Sequence, residues 1–132
     1  MSKVYIAAPW RDKTKMPEIA RQVEAAGHTI THKWWLVEDV PEDTRSMEDS
    51  KEQALDDVYG VMSADLMILI NSAKSEGKSL EQGVAIADGK DIIAVGKLGE
   101  FSKNVFHYLE NYHWVDTLQE GLEWLALEIS NV

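Results

Sequence analysis

Apolar runs of strand length alternate along this chain with stretches of helical period, the pattern of a parallel sheet covered by helices on both faces. Lys3 to Ala8, "KVYIAA", has no polar side and predicts a buried first strand, stopped by Pro9. Asp12 to Ala26 predicts a helix closed by Gly27, where a left-handed cap needs a residue without Cβ. A second strand is expected over His28 to Trp34. Ser46 to Ala64 predicts the second helix, because Met47, Ala54, Leu55, Val58, Val61 and Met62 gather within about a third of a turn at 100° per residue. Asp57 falls at the edge of that apolar face, while Asp56 points away from it. The third strand is Asp65 to Ile70, the third helix Ser79 to Gly89 and the fourth strand Asp91 to Val95. His113 to Val115 predicts a short fifth strand before a last helix, Leu118 to Ile129, with Leu122, Trp124, Leu125 and Ile129 available for packing.

In open parallel sheets ligands bind beyond the carboxyl ends of the strands, near the point where strand order reverses. That rule selects three loops: Ala7 to Lys13, Asn71 to Ser79 and Gly96 to Asn104. Ser79-Leu-Glu-Gln82 has capping-box spacing, which makes Ser79 the helix cap and puts Glu81 in the first turn, where the helix dipole favours the ionised carboxylate. Glu81 is then either a surface partner of the dipole or a carboxylate kept ready as a nucleophile. Gly83 and Ala85 are small neighbours that admit a ligand or another backbone. Carboxylate chemistry at sugar centres takes two acidic groups, and Asp57 is the second candidate. Trp10, Trp34 and Trp35 either stack a planar base at the mouth or pack the core. Arg11 and Lys78 are the cations nearest this rim, with solvent and anion roles both open.

The chain has 132 residues, 45% hydrophobic and 27% charged, which bounds it to one globular domain spanning the whole chain and leaves no window apolar enough for a membrane span. The absence of cysteine and of an N-terminal signal fits a cytoplasmic location. A net charge of −10 argues against a nucleic acid polymer as partner, since such binding rests on a basic surface, but leaves room for a small anion held by local positive groups. The acidic stretch Glu38 to Glu52 reads as a solvated loop entering a helix or as a flap over a pocket. The histidines form no chelating set: His28 and His32 would stand about 13 Å apart along a strand, so no metal is expected. Neither a dinucleotide or Walker glycine loop nor a G-x-S-x-G elbow is present, so no cofactor is expected and a covalent mechanism falls to a carboxylate.

Taken together, "KVYIAAPW", "ALDDVYGVMSADLMILI", "SEGKSLEQGVA" and "SKNVF" resemble the nucleoside 2-deoxyribosyltransferases and the related 2'-deoxynucleoside 5'-monophosphate N-hydrolases, over most of the chain. The resemblance implies a single α/β domain, Rossmann/flavodoxin-like, with a five-stranded parallel sheet. It implies that Glu81, in E-x-G-x-A, is the nucleophile that forms a covalent deoxyribosyl intermediate as the base leaves, that Asp57 orients the sugar and assists proton transfer, and that Tyr5 is a site residue. It further implies that Asn104 reaches the site of a neighbouring subunit, so the protein would be a homodimer or larger homo-oligomer with shared sites.

Ser75, six residues before Glu81, matches the phosphate-binding serine of the monophosphate hydrolases, with Lys78 and Arg11 as further phosphate partners. Two positions depart from that branch: Pro9 stands where a second phosphate-binding serine is expected, and Gln82 replaces the usual leucine after the nucleophile. The expected function is cleavage of the N-glycosidic bond of a 2'-deoxynucleoside or its 5'-monophosphate. The alternatives are base exchange between deoxynucleosides and a nucleotide-binding module without turnover. Base selection is expected in the first loop, where Trp10 stands, and in the segment Trp34 to Glu42.

Overall fold

The strand β1 (Lys3–Ala7) lies inside the sheet, with both its faces apolar: Val4, Tyr5, Ile6 and Ala7 are each fully buried. In the computed structural model, which describes residues 1–37, 44–101 and 104–130, β1 pairs in parallel with β2 (Thr29–Ile30) on one side and β3 (Leu66–Ile70) on the other. β4 (Asp91–Val95) and β5 (Tyr112–Val115) continue the sheet beyond β3, giving the order β2-β1-β3-β4-β5. Every pair among these strands is parallel, so helices must carry the chain back between them. These are α1 (Met16–Ala25), α2 (Met47–Ser63), α3 (Glu76–Ala87) and α4 (Leu118–Ser130). Strand order reverses between β1 and β3, where the crossover direction changes and a crevice opens at the carboxyl edge. The α/β architecture and the five parallel strands are those expected from the sequence. No helix among the described residues is long and apolar enough to cross a membrane.

Several boundaries differ for identifiable reasons. The first helical segment starts as a 3-10 helix, Trp10–Lys15, and becomes α-helical at Met16, with Pro17 in the first turn where its missing N–H costs nothing. Gly27 closes α1 at φ 97°, the left-handed cap that the sequence called for. The second strand is only two residues long. It lies at the sheet edge, and the chain then turns so that Trp34 and Trp35 enter a second 3-10 helix and become core. Trp34 donates its indole N–H to the Ile6 carbonyl at 2.8 Å and packs edge-on against Trp35. The third helix begins one turn earlier than the capping-box pattern suggests. Ser75 is its cap, accepting from the Lys78 N–H at 3.3 Å, while the Ser79 hydroxyl donates back to the Ser75 carbonyl. Glu81 therefore sits in the second turn of α3, past the strongest part of the helix dipole.

The second helix departs most from its wheel. The face expected to pack is largely in solvent: Met47 is 91% exposed and Met62 50%. Only Gly60 and Val61 of α2 are buried. The close approach happens at Gly60, where an added Cβ would lie 2.9 Å from His32 Cβ and 3.0 Å from the Tyr5 ring. Thr31 ties the same point from the other side, its hydroxyl donating to the Gly60 carbonyl at 2.7 Å. Gly60→Ala should therefore lower the urea midpoint with an unchanged m-value, corresponding to a loss of about 1–2 kcal/mol even after the helix-propensity gain of alanine. An unchanged or raised midpoint would show that α2 does not need this contact.

Candidate active site

Tyr5 is the third residue of β1 and stands opposite Met67 of β3, on the strand that borders the reversal of the sheet. Its phenol passes between α2 and α3 and donates a hydrogen bond to Glu81 Oε2. One carboxylate oxygen of Glu81 is thereby fixed. Burial pushes the Glu81 carboxyl up to about 7, the Tyr5 hydrogen bond opposes that rise, and the nearby Asp57 adds to it. Burial and then the charges of Glu81 and Asp57 push the Tyr5 phenol far above its ordinary range, so it stays a neutral donor at any physiological pH.

The cavity above this pair has a volume of about 140 Å³ and lies against Glu81, Asp57, His32, Trp10, Ser75 and Gly77, among others. Asp57 is half-buried, and its pKa is raised by burial, lowered by His32 and raised again by the adjacent Asp56. His32 Nε2 stands 3.3 Å from Asp57 Oδ1. Gln53 is on the same wall of α2, four residues before Asp57 and one helical turn away. Two aromatic rings close another side: Trp10 and Trp34 have centroids 5.7 Å apart, and the Lys13 ammonium sits 4.5 Å over the Trp10 ring.

A larger cavity of about 580 Å³ lies beside Asn71, Ser75, Lys78, Gln82, Asn104 and His107, among others. Ser75 and Lys78 line both spaces. The smaller cavity is the better reaction centre despite its size, because it alone brings two carboxyls with raised pKa values to one wall. Lys78 is 4% exposed and spends its ammonium on the Asn71 side chain at 3.1 Å and on the Ala73 carbonyl. Burial lowers its pKa to about 8, with Asp12 opposing and Arg11 contributing to that shift.

Six of the residues singled out in the sequence thus meet: Glu81, Asp57, Tyr5, Ser75, Lys78 and Trp10. Four do not. Asn104 caps the 3-10 helix Val105–Tyr108, accepting from the Phe106 N–H at 3.0 Å, and borders only the larger cavity. Arg11 is exposed and donates to the Ser72 carbonyl at 3.0 Å, on the back of the loop. Pro9 is buried as the residue before the first 3-10 helix, and Gly83 is exposed with open space where a Cβ would be. Of the segment expected to select the base, Trp34 to Val37 are placed and residues 38–42 lie outside the described residues, as does the first part of the acidic stretch. His32 and Gln53 were missed by sequence reasoning. His32 follows a strand predicted to run through it, and only the early end of β2 frees its ring to turn toward Asp57. Among the described residues no group of three or more His, Asp or Glu side chains gathers in a form that could hold a metal ion.

Comparison with solved structures matches the chain nearly end to end. A conserved protein from Enterococcus faecalis V583 superposes with a TM-score of 0.69 at 18% identity, covering 97% of this chain and 99% of that one. A 2-deoxyribosyltransferase from Bacillus psychrosaccharolyticus gives 0.65 at 17% identity, covering 89% and 88%. The Clostridium botulinum CMP N-glycosidase BcmB gives 0.59 at 22% identity, covering 96% and 98%. No protein-family model and no curated protein sequence matches the chain. At these identities the likeness is one of fold, over 89–97% of this chain.

Proposed function

We propose that this protein is an enzyme that cleaves the N-glycosidic bond of a 2'-deoxynucleoside or its 5'-monophosphate through a covalent intermediate on Glu81. The observation that carries this reading is the pairing of Glu81 with Tyr5 beside Asp57 in one cavity. Tyr5 holds Oε2, leaving Oε1 as the attacking atom. Attack on the anomeric carbon forms the C–O bond as the C–N bond breaks, and its electron pair leaves with the base, which takes a proton from the Asp57–His32 pair. Water then attacks the same carbon and gives up a proton to that pair. The ester bond breaks, the sugar leaves, and Glu81 returns as a carboxylate. Two of the fold neighbours are described as an N-glycosidase and a 2-deoxyribosyltransferase, which supports glycosyl chemistry on this scaffold.

The Trp10 and Trp34 rings offer a planar surface for the base. The 5' end would meet Ser75 and the first turn of α3, whose Gly77 borders the cavity and whose early N–H groups would serve an oxygen-rich ligand. Lys78 supports that end from beneath, whereas Arg11 does not. Transfer to a second base rather than to water remains the same chemistry with another acceptor, and the likeness to a 2-deoxyribosyltransferase is what favours it as a second reading.

The reading extends to a homo-oligomer. α2 presents Met47, Leu55, Tyr59 and Met62 to solvent, and α3, packed beside it, presents Leu80. A second copy of the chain is the proposed cover for this face, and it would also bring a second Asn104 toward the Glu81 cavity, which the chain's own Asn104 does not border.

Mass spectrometry of protein quenched during turnover should show a deoxyribosyl adduct on Glu81, and Glu81→Ala should lose at least about a thousandfold in base release. An adduct elsewhere, or full turnover by that variant, would sink the mechanism. Free deoxyribose or its phosphate as sole sugar product marks hydrolysis; a new nucleoside in the presence of a second base marks transfer. A screen of nucleosides and monophosphates settles the 5' requirement.

The raised Glu81 pKa predicts an acid limb of kcat/KM near pH 7, since the attacking form is the carboxylate. It also predicts a stability signature independent of turnover. A carboxyl whose folded pKa lies above its unfolded value binds protons preferentially in the folded state, so that contribution is intact below about pH 4.5 and is lost as pH rises through 7. Glu81→Gln should therefore be more stable than wild type at pH 8, on the order of 2 kcal/mol, with the gain fading by pH 5. A gain that does not vary with pH would contradict the assignment. Sedimentation should give at least twice the mass of one chain, and Leu55→Glu with Met62→Glu should reduce it to one; a wild-type monomer at assay concentration would rule the oligomer out.

A further inference from the structure

Gln82, the residue after Glu81 on α3, is 4% exposed, and a buried amide needs partners. Its Nε2 lies 3.1 Å from the Lys78 carbonyl, an acceptor only, so the amide is oriented with nitrogen toward Lys78 and Oε1 toward the sheet. Two donors converge on that oxygen: the Tyr112 hydroxyl at 2.7 Å and His107 Nε2 at 3.2 Å. Because Oε1 only accepts, His107 carries its proton on Nε2. The other ring nitrogen, Nδ1, is buried without a partner among the described residues, and burial together with Lys78 lowers the His107 pKa, so the ring is the neutral Nε2–H tautomer. His107 is held further by ring contacts with Tyr112 and Trp114, and its carbonyl accepts from the Trp114 indole at 3.1 Å.

His107 belongs to the 3-10 helix Val105–Tyr108 that Asn104 caps, and the outward side of this helix is largely in solvent, with Val105 75% and Tyr108 68% exposed. Its inward hold on the domain therefore runs through His107. The segment forms one wall of the larger cavity, whose other wall is α3 with Ser75 and Lys78.

We propose that Gln82 is a positioning residue: by accepting from His107 and Tyr112 it clamps the 104–108 segment to the helix that carries Glu81, and so fixes the width of the cavity beyond Ser75 where the 5' side of the substrate lies. This rests on the glycosidase reading for its meaning in turnover, and not for the clamp itself. A leucine in its place would fill similar volume but leave the Tyr112 hydroxyl and His107 Nε2–H facing an apolar group.

The test is Gln82→Leu, read two ways. Amide exchange at Phe106, His107 and Leu109, whose N–H groups bond within the segment, should accelerate by roughly tenfold or more while the sheet amides keep their protection. KM should rise by about tenfold with kcat within about twofold, because Glu81, Tyr5 and Asp57 are untouched. Gln82→Glu, which keeps an oxygen where the two donors meet, should restore most of both. Unchanged exchange in a folded Gln82→Leu protein overturns the clamp. A fall in kcat at constant KM overturns the placement of its effect at the 5' side. If Gln82→Leu loses protection throughout the sheet, Tyr112→Phe, which removes one donor and keeps the ring, is read by the same two measures. Absence of base release by the wild-type protein would sink the glycosidase reading, and the exchange measurement would still decide the clamp.

Discussion

The contact between the Tyr5 phenol and the Glu81 carboxylate sets most of what surrounds it. A carboxylate taken out of water needs a donor, and a phenol rooted in a central strand is a rigid one, since β1 is buried on both faces. For the two to meet, a helix on each side must come close to the strand. On the α2 side this requires a residue without a side chain, and Gly60 supplies it against the ring. Gln53 and Asp57 lie seven and three residues before Gly60, on the same stripe of the helix, so the contact that seats α2 on Tyr5 also turns Asp57 toward Glu81. Seating and the proposed chemistry share one face.

That arrangement explains why the apolar wheel of α2 is misleading. The stripe through Gln53, Asp57 and Gly60 is roughly 165° around the helix from the one through Leu55, Val58 and Met62. A helix can turn only one of these toward the domain. Here the polar one goes in, because it meets a cavity and a phenol rather than a core, and the apolar one is left outward. α3 solves a related problem with adjacent residues: Glu81 faces β1 and α2 on one flank, and Gln82, about 100° further round, faces Tyr112 and His107 on the other. Placing an amide there in a mostly apolar layer is tolerated because each of its polar atoms has a partner.

What could be read from the sequence follows from range. The central strands were legible because parallel strands buried on both faces leave continuous apolar runs, as in "KVYIAA" and "LMILI". Gly27 was legible because a helix cap is a local event. The start of α3 was not, since Ser75 and Ser79 are four residues apart and each can cap; the choice falls to Ser75, and Ser79 is then simply the next turn. β2 is shorter than its pattern because the chain leaves the edge after Ile30 although β1 runs on to Ala7, and the Ile6 carbonyl is met by the Trp34 indole instead, which no local pattern records. The Glu81, Asp57 and Tyr5 grouping came from resemblance and from chain order, whereas His32 and the Gln82 network depend on side chains 25 or more residues apart and were invisible.

The charge balance bears on the proposed 5' side of the site in a particular way. A chain with net charge −10 repels an anion at long range, so any phosphate must be held by groups at contact distance. Ser75 already accepts from the Lys78 N–H as the helix cap, yet its hydroxyl proton is still free to be donated. The first-turn N–H groups of α3 add donors without adding charge. Lys78 is the buried cation beneath them, and its two carbonyl-type partners leave one of its three N–H groups over. A phosphate arriving there would offset the burial that lowers the Lys78 pKa and draw the ammonium fully into its charged form, so affinity for the dianion and charge on Lys78 reinforce each other. A bare 5'-hydroxyl could use the same neutral donors and would gain nothing from the lysine. On the proposed reading the neutral donors would admit either ligand, and the state of Lys78 would be the physical term that separates a nucleotide from a nucleoside.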